Sequence, residues 1–177
     1  MFAPVIKVSK KKSKHVEYTK NDFEKDLVQL IKRDFLKKYQ ELDERFDVDR
    51  GKLLKAAIEP LLDTLDLELN RGEIRRASEM PAIILYRKAQ PNPKPVCFIY
   101  AEFHFKQALI MNAENASRVL KNLFPGALAV FVALDKEPEK IKESKLKSLD
   151  KLISGSNLEE CWTQLYEFLA SNVFGLQ

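Results

Sequence analysis

The sequence predicts an α/β (α+β) domain with a mixed central sheet flanked by helices, and three observations carry that expectation. Apolar residues recur at helical spacing through the first third, two β-type runs flank a proline-rich turn in the middle, and a wholly apolar strand follows a further helix.

Asn21 followed by Glu24 resembles a helix N-cap pair, and Phe23, Leu27, Leu30, Ile31, Phe35, Tyr39, Leu42 and Phe46 then keep helical spacing to about residue 46. A second helix is expected from about Asp49, carrying Leu53, Leu54, Ala57 and Ile58, with Pro60 kinking it or starting a new segment. Asn70-Arg71-Gly72 reads as a break. Ala82 to Tyr86 is a β-type run, residues 89–95 form a turn with three prolines, and Val96 to Lys106 is strand-like, which together predict an antiparallel hairpin. A helix is expected over Asn112–Leu123, stopped by Phe124-Pro125-Gly126. Ala127 to Leu134 reads as a strand covered on both faces. Residues 138–153 suit a charged amphipathic helix. Ser156 and Glu159 match a capping box before a last helix with Leu158, Trp162, Leu165, Tyr166 and Leu169 on one side, as core or a dimer surface.

The 177 residues suffice for one domain with a sizeable core, and 45% apolar with 32% charged residues describes a globular chain with a charge-rich surface. Five glycines and eight prolines exclude a collagen-like or low-complexity chain. Two cysteines, Cys97 and Cys161, provide neither a disulfide framework nor a cysteine zinc site, so a reducing cytoplasm is expected. No apolar run approaches the roughly 18 residues of a membrane span, and the first residues place charge after a short apolar stretch, opposite to a secretory signal.

The net charge of +4 is unevenly spread. Residues 7–20 hold six lysines, among them Lys10, Lys11 and Lys12, against the single acid Glu17. Residues 1–20 therefore read as a basic arm, either a solvated end or a contact to nucleic-acid phosphates, ahead of a single domain over 21–177.

Tyr100 to Lys106 alternates strictly. Read as a strand, it sends Phe103 and Phe105 to the core and lines up Glu102, His104 and Lys106 on the opposite face. An acid, an imidazole and an ammonium would then share one surface. A half-exposed strand with ordinary charge neighbours is the alternative.

Met80-Pro81-Ala82-Ile83-Ile84-Leu85, the proline-rich turn and Ile99-Tyr100-Ala101-Glu102-Phe103-His104 resemble the core of the PD-(D/E)XK nuclease superfamily, which includes type II restriction endonucleases. In that family an Asp after Pro opens one strand, and another strand of the same sheet carries an acid, any residue, then Lys. The following helix and apolar strand suit the family's βββαβ order, and the resemblance spans about residues 50–135. It implies a metal-dependent endonuclease acting on DNA, with Mg²⁺ held by Glu102 and by the acid that belongs at position 82. His104 or Lys106 would activate water, and Glu59 on the preceding helix would be a further acid. The chain departs from the pattern at both ends of the motif: Ala82 stands where the family has Asp, and His104 where it usually has Lys. Three explanations fit: an inactive variant, a degenerate domain kept for binding nucleic acid, or another acid, Glu79 or Glu73, filling the place. The resemblance also implies a homodimer, two active sites facing two strands.

On the same reading, Arg71, Arg75 and Arg76 before the first motif strand, and Asn112, Asn115 and Arg118 on the following helix, are candidate contacts to phosphates and base edges. A solvated basic edge, with Asn112 as a helix cap, accounts for them equally. A non-catalytic nucleic-acid-binding domain and a small protein-interaction domain are the alternatives to the nuclease. No glycine-rich nucleotide loop and no Gly-x-Ser-x-Gly are present.

Overall fold

Helix α1 (Lys20–Glu41) and helix α2 (Asp47–Thr64) lead into three strands, β1 (Leu69–Ile74), β2 (Ala82–Arg87) and β3 (Pro95–Glu102). Helix α3 (Gln107–Leu123), strand β4 (Leu128–Leu134), a single 3₁₀ turn (Glu143–Lys145), strand β5 (Lys151–Gly155) and helix α4 (Leu158–Asn172) follow. The computed structural model describes residues 20–42, 47–64, 69–74, 82–87 and 94–173.

The five strands lie in chain order. β1, β2 and β3 form an antiparallel meander, whereas β4 runs parallel to β3 and β5 parallel to β4. The class is therefore α/β with a mixed sheet, as the sequence predicts. The expected antiparallel hairpin is β2–β3, in a register that pairs Ala82 with Tyr100 and Ile84 with Phe98. A helical crossover must carry the chain from β3 to β4, because parallel neighbours cannot be joined by a tight turn. Helix α3 is that crossover.

Strand alternation splits the core into two layers. Ile83, Leu85, Cys97, Ile99, Ala101, Val130, Val132 and Ile153 face α1, α2 and α4, where they meet Phe35, Leu54, Ile58, Leu61, Trp162, Leu165 and Leu169. Ala82, Ile84, Phe98, Tyr100, Ala129, Phe131 and Ala133 face α3, against Ile110, Ala113, Ala116 and Leu120. β4 is apolar throughout because both its faces are covered.

Several expectations are corrected. Asn70-Arg71-Gly72 is inside β1, not a break; as an edge strand it needs only one partner, and its polar composition suits that place. Residues 138–153 form no long helix but an irregular segment with one 3₁₀ turn, ending in β5. α2 continues through Pro60. α3 begins five residues earlier than expected, so Asn112 lies within it and is not its cap. The cap of α4 is shifted by one residue: Asn157 Oδ1 accepts the Glu160 N–H at 3.0 Å, and Glu160 reaches back to the Ser156 N–H. Among the described residues, no helix is long and apolar enough to cross a membrane.

Candidate functional site

β3 ends at Glu102, so the strict alternation beyond it is not that of a strand. Phe103 and Phe105 leave in opposite directions: Phe103 packs in the layer of α1 and α2, and Phe105 is buried in the layer of α3. Glu102, His104 and Lys106 therefore do not share one pleated face. Lys106 is exposed, in extended conformation at the start of α3.

The structure instead gathers groups at the carboxyl ends of β3 and β4, the edge at which open α/β sheets bind ligands. The two strands are parallel, and Glu102 pairs with Ala133. That register brings Asp135, one residue past β4, beside the turn after β3. His104 Nδ1 lies 3.8 Å from Asp135 Oδ2. The same Oδ2 accepts the Phe105 N–H at 2.9 Å, and Oδ1 accepts the Glu137 N–H at 2.9 Å. Asp135 was not among the residues the motif pointed to. The signal that could have found it is an acid immediately after an all-apolar strand, since parallel strands end on the same edge.

α2 closes this edge from the other layer. A Cβ on Gly51 would lie 3.4 Å from Glu102 Oε2 and 3.7 Å from the Phe103 nitrogen, so the backbone of α2 approaches here closely. Burial pushes the Glu102 carboxyl above its ordinary value, and the nearby His104 and the Phe103 N–H only partly pull it back. Beside it, the buried Arg50 guanidinium sits 4.9 Å from the Tyr39 ring centre and 5.2 Å from that of Phe103. Its Nη2 donates to the Leu42 carbonyl at 2.6 Å. Cation–π contact thus holds α1, α2 and the turn after β3 together.

Ala82 opens β2 at the same end of the sheet. It pairs with Tyr100, two residues before Glu102, but it packs in the α3 layer, whereas Glu102 Oε2 lies against Gly51 of α2. Its surroundings are apolar: Ala82 is 2% exposed, in the cluster with Ile84, Phe98 and Tyr100. Glu59 is on α2, eight residues beyond Gly51, and so about 12 Å further along the helix from the point that meets Glu102. It does not join Glu102.

Mg²⁺ requires oxygen ligands in near-octahedral geometry. Here Glu102 is one carboxylate, Ala82 supplies none, and both Asp135 oxygens are engaged by backbone N–H groups. No three Asp, Glu, His or Cys side chains gather in a metal-binding arrangement among the described residues. That donor set does not fit Mg²⁺. Glu73 and Glu79 are outside the residues whose side chains are described.

Of the proposed nucleic-acid contacts, Asn112, Asn115 and Arg118 are exposed on α3, where Arg118 Nη2 donates to Asn115 Oδ1 at 3.2 Å. They stand about 8–17 Å beyond Gln107 along the helix, leading away from Glu102. Arg71 lies in β1 opposite Leu85. Lys10, Lys11, Lys12, Arg75 and Arg76 lie outside the described residues. Cys97 and Cys161 are both free and buried; burial pushes both thiols up, that of Cys161 to about 12.

No protein-family model, no curated protein and no solved structure matches the chain. The resemblance to PD-(D/E)XK nucleases therefore rests on residues and strand order alone.

Proposed function

We propose that this chain is a nucleic-acid-binding domain on a restriction-endonuclease-like core, one that engages DNA without cutting it. The observation that carries the reading is the succession α2-β1-β2-β3-α3-β4, in which Ala82 opens β2 and Glu102 ends β3 at one end of the sheet. That order resembles the βββαβ order of the nuclease core, with β1 as the additional strand. Apolar packing around Ala82 supports binding over hydrolysis, because a single desolvated carboxylate holds Mg²⁺ poorly. A reducing cytoplasm, where two buried free thiols persist, and a homodimer matched to duplex symmetry complete the proposal.

A metal-dependent endonuclease is the competing reading, favoured by His104, two residues beyond Glu102, with its Nδ1 3.8 Å from Asp135 Oδ2. The deciding experiment measures duplex affinity against salt, and DNA cleavage with Mg²⁺, for this chain and for Ala82→Asp. Salt-dependent binding without cutting by the unaltered chain is the expected result. Mg²⁺-dependent cutting by the unaltered chain would overturn it in favour of the endonuclease. Cutting gained only by Ala82→Asp would identify the missing acid. No salt-dependent affinity for duplex or single strand would leave a protein-interaction domain.

A further inference from the structure

The segment between β4 and β5 is irregular, yet both its ends are pinned to α3. At the first, Glu139 accepts the Gln107 N–H at 2.9 Å and its own N–H donates to the Phe105 carbonyl at 3.1 Å. At the second, the buried Glu114 carboxylate on α3 accepts the N–H groups of Lys147, Ser148 and Leu149 at 2.9–3.1 Å. Between these anchors Ile141 and Leu146 pack into the α3 layer of the core. A chain without regular secondary structure is thereby held as a fixed ledge along the first half of α3.

The ledge and the helix enclose a cleft of about 250 Å³, bordered by Gln107, Met111, Lys140, Lys142, Lys145 and Leu146. Among the described residues, the charged side chains that line it are all lysines. All three are exposed, and none forms an ion pair among the described residues. Two acids close to the cleft, Glu114 and Glu139, are occupied by backbone N–H groups. Glu143, in the 3₁₀ turn, is exposed and does not border it. Gln107, Met111, Asn115 and Arg118 are spaced four, four and three residues apart, so the Asn115–Arg118 pair lies beyond the cleft on the helix face that borders it.

We propose that this cleft is the track for the nucleic-acid backbone, with Lys140, Lys142 and Lys145 on successive phosphates and Asn115 and Arg118 extending the path along α3. The inference rests on the nucleic-acid-binding reading above and names the surface that would perform it. That surface lies on the α3 layer, not at the Glu102 edge. Three ammonium groups on a ledge fixed in advance neutralise phosphates and release counterions without first ordering a loop.

The test uses the full chain and a labelled 20-base-pair duplex, with affinity measured by fluorescence anisotropy from 50 to 200 mM salt. Combining Lys140→Gln, Lys142→Gln and Lys145→Gln should flatten the slope of log affinity against log salt by about 2–3 and weaken binding about tenfold or more at the lowest salt. The corresponding arginine variants should keep the slope. So should Lys37→Gln, Lys38→Gln and Lys52→Gln combined, which remove equal charge from exposed positions on α1 and α2. Thermal melting checks that each variant is folded. An unchanged slope in the first variant, with binding by the parent chain intact, overturns the cleft and leaves the functional reading standing. Absence of binding by the parent chain overturns both. Equal, lysine-dependent affinity for polyglutamate of matched charge would make the cleft a surface for acidic proteins and overturn the nucleic-acid assignment.

Discussion

His104 Nδ1 and Asp135 Oδ2 approach to 3.8 Å across the ends of two parallel strands, although 31 positions separate them in the chain. Asp135 joins the turn after β3 to the turn after β4 through the Phe105 and Glu137 N–H groups. Asp135→Ala leaves both donors without that acceptor and should cost about 1–3 kcal/mol. Asp135→Asn keeps one carbonyl oxygen and should cost less. Urea unfolding of the two variants at neutral pH checks the order.

Glu114 makes stability depend on acid. Burial alone would raise its carboxyl, but hydrogen bonds from Lys147, Leu149 and Ser148 outweigh that and hold it below the ordinary 4.5. Because the folded value is the lower one, the stabilisation is complete above the unfolded value and is lost as pH falls through the folded one. Glu114→Gln should cost about 1–3 kcal/mol at pH 7 and progressively less below pH 4.5. Parallel denaturation curves for the two proteins from pH 7 to pH 3 should converge.

Placing Asp at position 82 puts a carboxylate among Ile84, Phe98 and Tyr100. A cost of about 2–5 kcal/mol is expected for Ala82→Asp at pH 7. A carboxyl buried there has a folded value above its unfolded one, so its penalty grows as pH rises through that interval and shrinks on acidification. The loss in urea midpoint relative to the parent chain should be smaller at pH 4 than at pH 7.

The raised carboxyl of Glu102 has the same sign. Its ionised form is disfavoured in the folded state, so Glu102→Gln should increase stability at pH 7 relative to pH 4. Thermal melts of the variant and the parent chain at the two pH values measure the difference.

Gly155 ends β5 against the first turn of α4. A Cβ there would lie 2.9 Å from both the nitrogen and the Sγ of Cys161. The nitrogen belongs to a helix backbone and cannot turn aside, so Gly155→Ala should destabilise by about 1–3 kcal/mol. Calorimetric melting of that single variant is sufficient to check it.

How much of this was legible depended on how each element is covered. β4 and the β2–β3 hairpin were readable because apolar runs and prolines report burial and turns directly. β1 was not, since Leu69-Asn70-Arg71-Gly72-Glu73-Ile74 has an edge strand's polar composition. Residues 138–153 imitated a helix because Ile141, Leu149 and Ile153 fall at multiples of four. Ile141 and Leu149 pack on the α3 side of the sheet, and Ile153 on the opposite side. Strict alternation from Tyr100 to Lys106 misled in the same way, with Phe103 and Phe105 diverging after the strand had ended. Asp135 escaped because its neighbourhood is created by strand register, to which local spacing is blind.

β3 is antiparallel to β2 on one side and parallel to β4 on the other, and this double role has a consequence for how the protein assembles. The β1–β2–β3 half pairs strands that are close in the chain, whereas the β3–β4–β5 half must wait for connections long enough to hold α3 and the lysine-bearing ledge. Closing long loops before contact is rewarded slows folding. β3 is therefore the template on which a quickly formed meander recruits a slower parallel half, and its central amides should be the last in the chain to exchange with solvent.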